Sequence, residues 1–251
     1  MPGVDALIRP DRYPLSSRYD PNWVIALEMG PHPLWQLEDI LPALVLEPGS
    51  RVLDLGCGRG ATSVFLAREC GVTVTACDLW VSTEELTETF RKAGVEGSVS
   101  AVNADVRRLP FADGEFDAIV SIDAFEYFGT DVHVLPALLR VLKPGGRIGM
   151  TTPGLDPDPY EGDVPEAVRS RWGYEVAAWH APEWWRRHWE LTGLLEGIEA
   201  GWLPDGRENW IRWVEALQSA RPESESGVLD LLEGDSGAGL GFVSVTARKA
   251  K

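Results

Sequence analysis

The chain of 251 residues predicts an α/β fold, a doubly wound and mainly parallel seven-stranded sheet, on three observations. Between residues 50 and 152 short apolar runs alternate with helical segments, the pattern of a parallel sheet with helices on both faces. The first run passes straight into a glycine turn and a helix, Arg51-Val-Leu-Asp-Leu-Gly-Cys-Gly-Arg-Gly60. Two further strand patterns, 194–203 and 241–248, bring the count to seven. The arrangement is Rossmann-like and is expected to form one domain over residues 1–251: a helical cap at 1–49, a ligand-binding core at 50–152, and a tryptophan-rich lid with the final strands at 153–251.

In the cap, Trp23, Leu27, Leu34, Leu37, Leu41 and Leu44 fit two short amphipathic helices broken at Met29-Gly-Pro-His-Pro33. Val52, Leu53 and Leu55 supply the first strand; Gly56, Gly58 and Gly60 remove Cβ atoms that would keep a ligand at a distance, and 61–69 continues as a helix. Asp54 is a carboxylate in an otherwise apolar strand, costly to bury unless donors or a cation meet it. A second strand, 72–77, ends at Asp78, and a third apolar run precedes Asn103-Ala-Asp105. Residues 109–117 lead into the fourth strand, 118–122, and Leu142-Lys-Pro-Gly-Gly-Arg147 turns a helix into the fifth, 148–152. After a proline-rich loop at 153–160 come a helix at 182–192, the strand at 194–203, a helix at 208–219, an acidic stretch at 221–235 with a short apolar helix at 228–232, and the last strand.

Gly56-x-Gly58-x-x-Ala61, with Asp78 further on, also satisfies the dinucleotide fingerprint of a dehydrogenase, so the glycines alone leave the ligand open. The ordered set beyond them is more specific. With its Leu109-Pro-Phe element and Leu142-Lys-Pro-Gly-Gly turn, the stretch from about residue 50 to 152 resembles the class I S-adenosylmethionine-dependent methyltransferases, especially their small-molecule branch. The resemblance implies S-adenosyl-L-methionine as cofactor, S-adenosyl-L-homocysteine as product, and no metal. It further implies that Asp54 and Gly56 help hold the methionine end, that Cys57 and Gly58 lie against the cofactor, and that Asp78 accepts ribose hydroxyls. Leu79 and Trp80 would flank adenine, Asp105 and the Val106 N–H would meet its edge, and Ser121 would offer its carbonyl to the methionine moiety.

Composition bounds the partners. With 44% hydrophobic and 25% charged residues the chain is ordinary globular material, and no apolar run approaches the ~18 residues of a membrane span. Residues 1–12 lack the apolar core of a secretory signal, so a cytoplasmic location is expected. A net charge of −16 repels phosphate backbones, which argues against nucleic acid as a partner and for a small molecule. Cys57, Cys70 and Cys77 have no CxxC spacing and form no disulfide framework.

Eight of the eleven tryptophans fall between residues 172 and 213, outside the core motifs, where they serve as packing faces or wall an aromatic pocket. Trp179 and Trp184, with His32 and Tyr160, are the candidate substrate residues. Many small-molecule relatives carry a histidine pair after the fourth strand; here Asp123, Glu126 and Tyr127 occupy that loop, so they and His180 are the candidate catalytic groups. The expected function is methyl transfer to an oxygen, nitrogen or carbon of a small molecule. A protein or peptide methyltransferase, or a non-catalytic cofactor-binding protein, is the alternative.

Overall fold

The computed structural model describes residues 3–225, 227–233 and 239–251. Along β1 (Arg51–Leu55) the side chains alternate, Val52 entering one apolar core and Leu53 and Leu55 the other, as a strand buried on both faces requires. β2 (Thr73–Asp78) and β3 (Val99–Asn103) lie outward on one side of β1; β4 (Phe116–Ile122) and β5 (Leu142–Asp156) lie on the other, all four pairings parallel. β7 (Gly239–Lys249) inserts antiparallel between β5 and β6 (Leu195–Trp202), giving the order β3-β2-β1-β4-β5-β7-β6. The strand order therefore reverses between β1 and β4, and ligands of such sheets bind beyond the carboxyl ends of the strands at that reversal.

α1 (Pro21–Ala26), α2 (Pro33–Leu44), α3 (Ala61–Cys70) and α4 (Thr83–Ala93) contribute to the core on one face of the sheet. α6 (Glu166–Trp172), α8 (Gly206–Ala220) and α9 (Val228–Glu233) join the same core, while α5 (Val134–Val141) and α7 (Pro182–Glu190) fill the other. The two expected cap helices are α1 and α2, with the break between them. Of the acidic stretch, residues 226 and 234–235 lie outside the described residues. Among the described residues no helix is long and apolar enough to cross a membrane.

One element departs from expectation. The proline-rich loop expected at 153–160 is strand as far as Asp156, paired with β7 from Pro153↔Phe242 to Asp156↔Gly239. β4 pairs with β5 only as far as Ile122↔Thr151, so beyond Thr151 that edge of β5 carries no ladder and a residue without an N–H costs nothing there. On this freed edge the Leu155 N–H donates to the Trp179 carbonyl at 3.0 Å, which pins the next residue, His180, beside the end of the strand. The tryptophan-rich insertion is present, but β6 and the end of β5 are integral to the sheet. Residues 157–181 are what reaches over the crevice.

Candidate active site

The turn after β1 is tied to β2 by its backbone: the Gly56 and Cys57 N–H groups both donate to the Cys77 carbonyl, at 2.8 and 3.3 Å. Asp78, at the end of β2, then accepts from the Gly58 N–H at 2.8 Å through one oxygen and from Trp80 and Val81 N–H at 2.8 and 3.0 Å through the other. A carboxylate offers about four acceptor sites, so three donors leave it room for one more. Gly56, at φ +69°, would put a Cβ 2.5 Å from that of Ala124; Gly58, at φ +53°, would face Met29 Sδ at 3.1 Å. A side chain would collide at Gly56 and would need Met29 to give way at a left-handed backbone at Gly58, and both glycines line a cavity of about 880 Å³ at the switch between β1 and β4.

Asp54 stands behind this wall. Its side chain points to the face of α3, where Oδ2 accepts the Thr62 and Ser63 hydroxyls at 2.7 and 2.6 Å, while Oδ1 is buried without a partner. Burial, against those two hydrogen bonds, lifts its carboxyl to about 6. The folded protein thus holds this proton more tightly than the unfolded chain, whose Asp titrates near 4. The stabilising contribution is complete below about pH 4 and is lost as pH rises through about 6, on the order of 3 kcal/mol by pH 8. Thermal melts of the ligand-free protein at pH 4.5 to 8 should show Asp54→Asn gaining on wild type as pH rises; parallel curves would remove Asp54 as the titrating group.

On the β2–β3 side, Leu79 and Trp80 are 51% and 64% exposed at the rim, and Asp105 and Val106 line the cavity below them. The Asp105 carboxylate is forked by the Arg107 guanidinium at 2.8 and 2.9 Å, which holds its pKa below the usual carboxylate range. Trp80 meets Tyr127 edge to face across the rim, ring centroids 4.9 Å apart.

The loop after β4 brings Asp123, Glu126 and Tyr127 to the cavity. Asp123 has left-handed backbone, φ +53°, and its carboxylate lies so close beneath Gly30 that a Cβ there would collide with it. Glu126 is buried and accepts from the Thr152 hydroxyl at 3.0 Å. Burial raises the pKa of both carboxyls, and the nearby Asp123 charge adds to the effect on Glu126. Burial likewise raises Tyr127 and the Cys57 thiol, which is no nucleophile.

On the far wall, His180 lines the cavity with Tyr160 and Trp184. Its ring stacks on Trp184 at 3.5 Å and 4°, and His188 stacks at 4.7 Å on Trp184 in turn. Its Nδ1 lies 3.1 and 3.2 Å from the two oxygens of buried Asp158.

Four expected site residues stand elsewhere. His32 caps α2: Nδ1 accepts the Trp35 N–H at 3.3 Å, the ring stacks on Trp35, and burial lowers its pKa to about 3, so it is a neutral packing group. Trp179 is buried in the core against Trp172 and Trp210, away from the cavity. Asp54 and Ser121 are buried behind the cavity wall and do not line it. Conversely, Met29, Gly30 and Pro31 of the cap break line the cavity, as does Glu175, and Asp158 backs His180. Asp158-x-Tyr160 carried a readable signal, since an Asp whose oxygen takes the N–H two residues on is a turn signature.

A methyltransferase-domain family model matches residues 52–146. A demethylmenaquinone methyltransferase from Beutenbergia cavernae is 34% identical over 224 residues, covering 82% of this chain and 87% of that protein. The chain belongs to the class I S-adenosylmethionine-dependent methyltransferases. This methyltransferase is also 29% identical over 218 residues to a 27-O-demethylrifamycin SV methyltransferase from Amycolatopsis mediterranei, covering 82% of the chain and 79% of the relative. It shares its fold, at a TM-score of 0.68 and 19% identity over 86% of the chain and 78% of the other, with geranyl diphosphate C-methyltransferase of Streptomyces coelicolor A3(2) solved with S-adenosyl-L-homocysteine. The residues of the methyltransferase fit that cofactor: Asp78 has a spare acceptor site at the β2 end, and Gly56 and Gly58 leave the wall beside it without side chains.

Proposed function

We propose that the protein methylates a small organic molecule held in the half of the cavity bounded by Asp123, Glu126, Tyr127, Tyr160, His180 and Trp184. When bound, S-adenosylmethionine supplies an electrophilic methyl carbon on sulfur. Asp78 would take a ribose hydroxyl and Gly56 and Gly58 the amino-acid end, with Leu79, Trp80, Asp105 and Val106 around adenine; Asp54 would act from behind, through the α3 hydroxyls it holds, and Ser121 through its carbonyl. The residues beyond these exclude water and align the acceptor, which is the larger part of catalysis in a displacement at carbon.

The observation that carries this reading is the single cavity of about 880 Å³ running from Gly58 to His180. Small-molecule sites span roughly 300–1,000 Å³, so this one has room for a cofactor and a second small molecule. The named activities of the two relatives, on a quinone precursor and on a rifamycin, support an acceptor of that size. One domain in which cap, core and 157–181 segment share the cavity, working in the cytoplasm, completes the proposal.

Incubation with methyl-labelled S-adenosylmethionine and a cell extract, separated by size, is the test. Label is expected in the small-molecule fraction. Label only in protein would favour the peptide alternative, and no transfer alongside measurable S-adenosylhomocysteine binding would favour a non-catalytic binder. In calorimetry both cofactor forms should bind, and NADP should not.

A further inference from the structure

Asp158 belongs to none of the motifs that define the cofactor site, yet it is the best-satisfied buried carboxylate on the substrate side. It is 3% exposed, and three N–H directions converge on it. One oxygen accepts the Tyr160 N–H at 2.9 Å, the other accepts the Ala181 N–H at 2.9 Å, and His180 Nδ1 sits 3.1 and 3.2 Å from the pair. Two of those donors are backbone amides and cannot reverse. A carboxylate held by them acts as an acceptor, so the His180 nitrogen facing it is the one that carries hydrogen. In a neutral imidazole the lone pair then belongs to Nε2.

The position of the ring decides where that lone pair goes. One face of His180 is covered by Trp184 and the ring of Tyr160 tilts against it at 5.2 Å. Asp158 occupies the Nδ1 edge from behind, since His180 lines the cavity and Asp158 does not. Trp185 meets the ring edge to face at 5.8 Å, and of the two nitrogens Nε2 is the one with no hydrogen-bond partner among the described residues, so it is the one open to a ligand. Burial, against the nearby carboxylate, lowers the pKa of His180, which favours the neutral ring.

We propose that Asp158 and His180 form a proton-accepting dyad and that the acceptor is a phenolic hydroxyl. This rests on the methyl-transfer reading above. A neutral amine already presents a lone pair to an electrophilic carbon, whereas a hydroxyl gains most from losing its proton as the bond forms. Imidazole suits a phenol, which titrates near 10, better than an aliphatic alcohol. The walls agree, because Tyr160 and Tyr127, 74% and 49% exposed, offer aromatic surface to an aromatic ring. The phenolic oxygen bonds to the methyl carbon while its proton passes to His180 Nε2; the carbon–sulfur bond breaks with its electron pair staying on sulfur. The products are an aryl methyl ether and neutral S-adenosylhomocysteine, and the imidazolium returns its proton to solvent. His180 is the catalytic residue and Asp158 a positioning residue.

Two readouts test this, one without turnover. Nitrogen-15 spectra of histidine-labelled protein at pH 7 should show His180 as the neutral Nδ1–H tautomer in wild type. In Asp158→Asn the amide can donate to Nδ1, so the proton should shift to Nε2. A wild-type Nε2–H tautomer, or an imidazolium, would overturn the dyad. The second readout uses labelled S-adenosylmethionine with 4-methylphenol, 1-naphthol and 1,4-dihydroxynaphthalene as probes and 1-naphthylamine as the nitrogen counterpart. An O-methyl product is expected, with kcat reduced about 10²- to 10⁴-fold in His180→Gln, a clear reduction in Asp158→Asn, and S-adenosylhomocysteine affinity unchanged in both. Methylation of nitrogen or carbon only, an unaltered kcat in His180→Gln, or no O-methyl product from any phenol while S-adenosylhomocysteine binds would each overturn the proposal and leave the cofactor reading standing. Absent S-adenosylhomocysteine binding in folded wild type would instead sink that underlying reading.

Discussion

Asp78→Ala is expected to weaken S-adenosylhomocysteine binding by about 1.5 to 3 kcal/mol, roughly 10- to 150-fold, because charge-assisted hydrogen bonds to the ligand are lost. The structure adds a second cost. The same carboxylate joins the turns after β1 and β2, one oxygen on Gly58 and the other on Trp80 and Val81. Alanine therefore also releases three backbone N–H groups, and the turn after β1 keeps only its Gly56 and Cys57 bonds to the Cys77 carbonyl. Asp78→Asn separates these effects: its amide oxygen can keep the Trp80 and Val81 bonds, but an NH₂ would face the Gly58 N–H. Calorimetry on the three proteins, with melting curves to establish folding, should rank wild type above Asn and Asn above Ala. Equal affinities in folded variants would remove Asp78 from the site.

Trp185→Ala is expected to cost about 3 to 5 kcal/mol of stability, the usual range for emptying a fully buried aromatic site. Trp185 has no exposed surface and packs edge to face on Phe125 at 5.8 Å and Trp184 at 5.0 Å. For a chain of this size the melting temperature should fall by on the order of 10 °C. Trp179→Ala, in the opposite core, belongs to the same class. Trp184→Ala should behave differently, melting closer to wild type and changing acceptor kinetics, because its ring lines the cavity and stacks on His180. Calorimetric melts of all three variants are the check; a Trp185→Ala protein that melts within about 2 °C of wild type would contradict the packing assignment.

The strands and the turns after β1 and β2 were legible because their signals are local. An apolar run ending in Gly56-x-Gly58, or in Asp78, announces its own turn whatever else the chain does, and the period of the apolar residues places helix and strand. The misread parts depend on a distant partner. Prolines at 153 and 157 read as a loop, since nothing nearby discloses that β7 will pair with 153–156 while β4 has already ended. The tryptophans read equally as packing faces or pocket wall, and α7 carries both: Trp185 and Trp189 are buried in the core, while Trp184 packs against it and lines the cavity. His32 and Trp179 looked free for substrate for the same reason: a cap on α2 and a cluster with Trp172 and Trp210 are tertiary facts. Asp158 was legible as a turn residue, but its contact with residues 180 and 181 is a tertiary fact.

The insertion of β7 between β5 and β6 also has a bearing on how the chain is made. Synthesis delivers β6 before the strand that binds it to the sheet, and β7 is the last of the seven to leave the ribosome. Until then the outer edge of β5 and both edges of β6 present unpaired amides, the template on which chains pair with one another. A ribosome stalled around residue 238 would thus leave the turns after β1 and β2 complete and the sheet open.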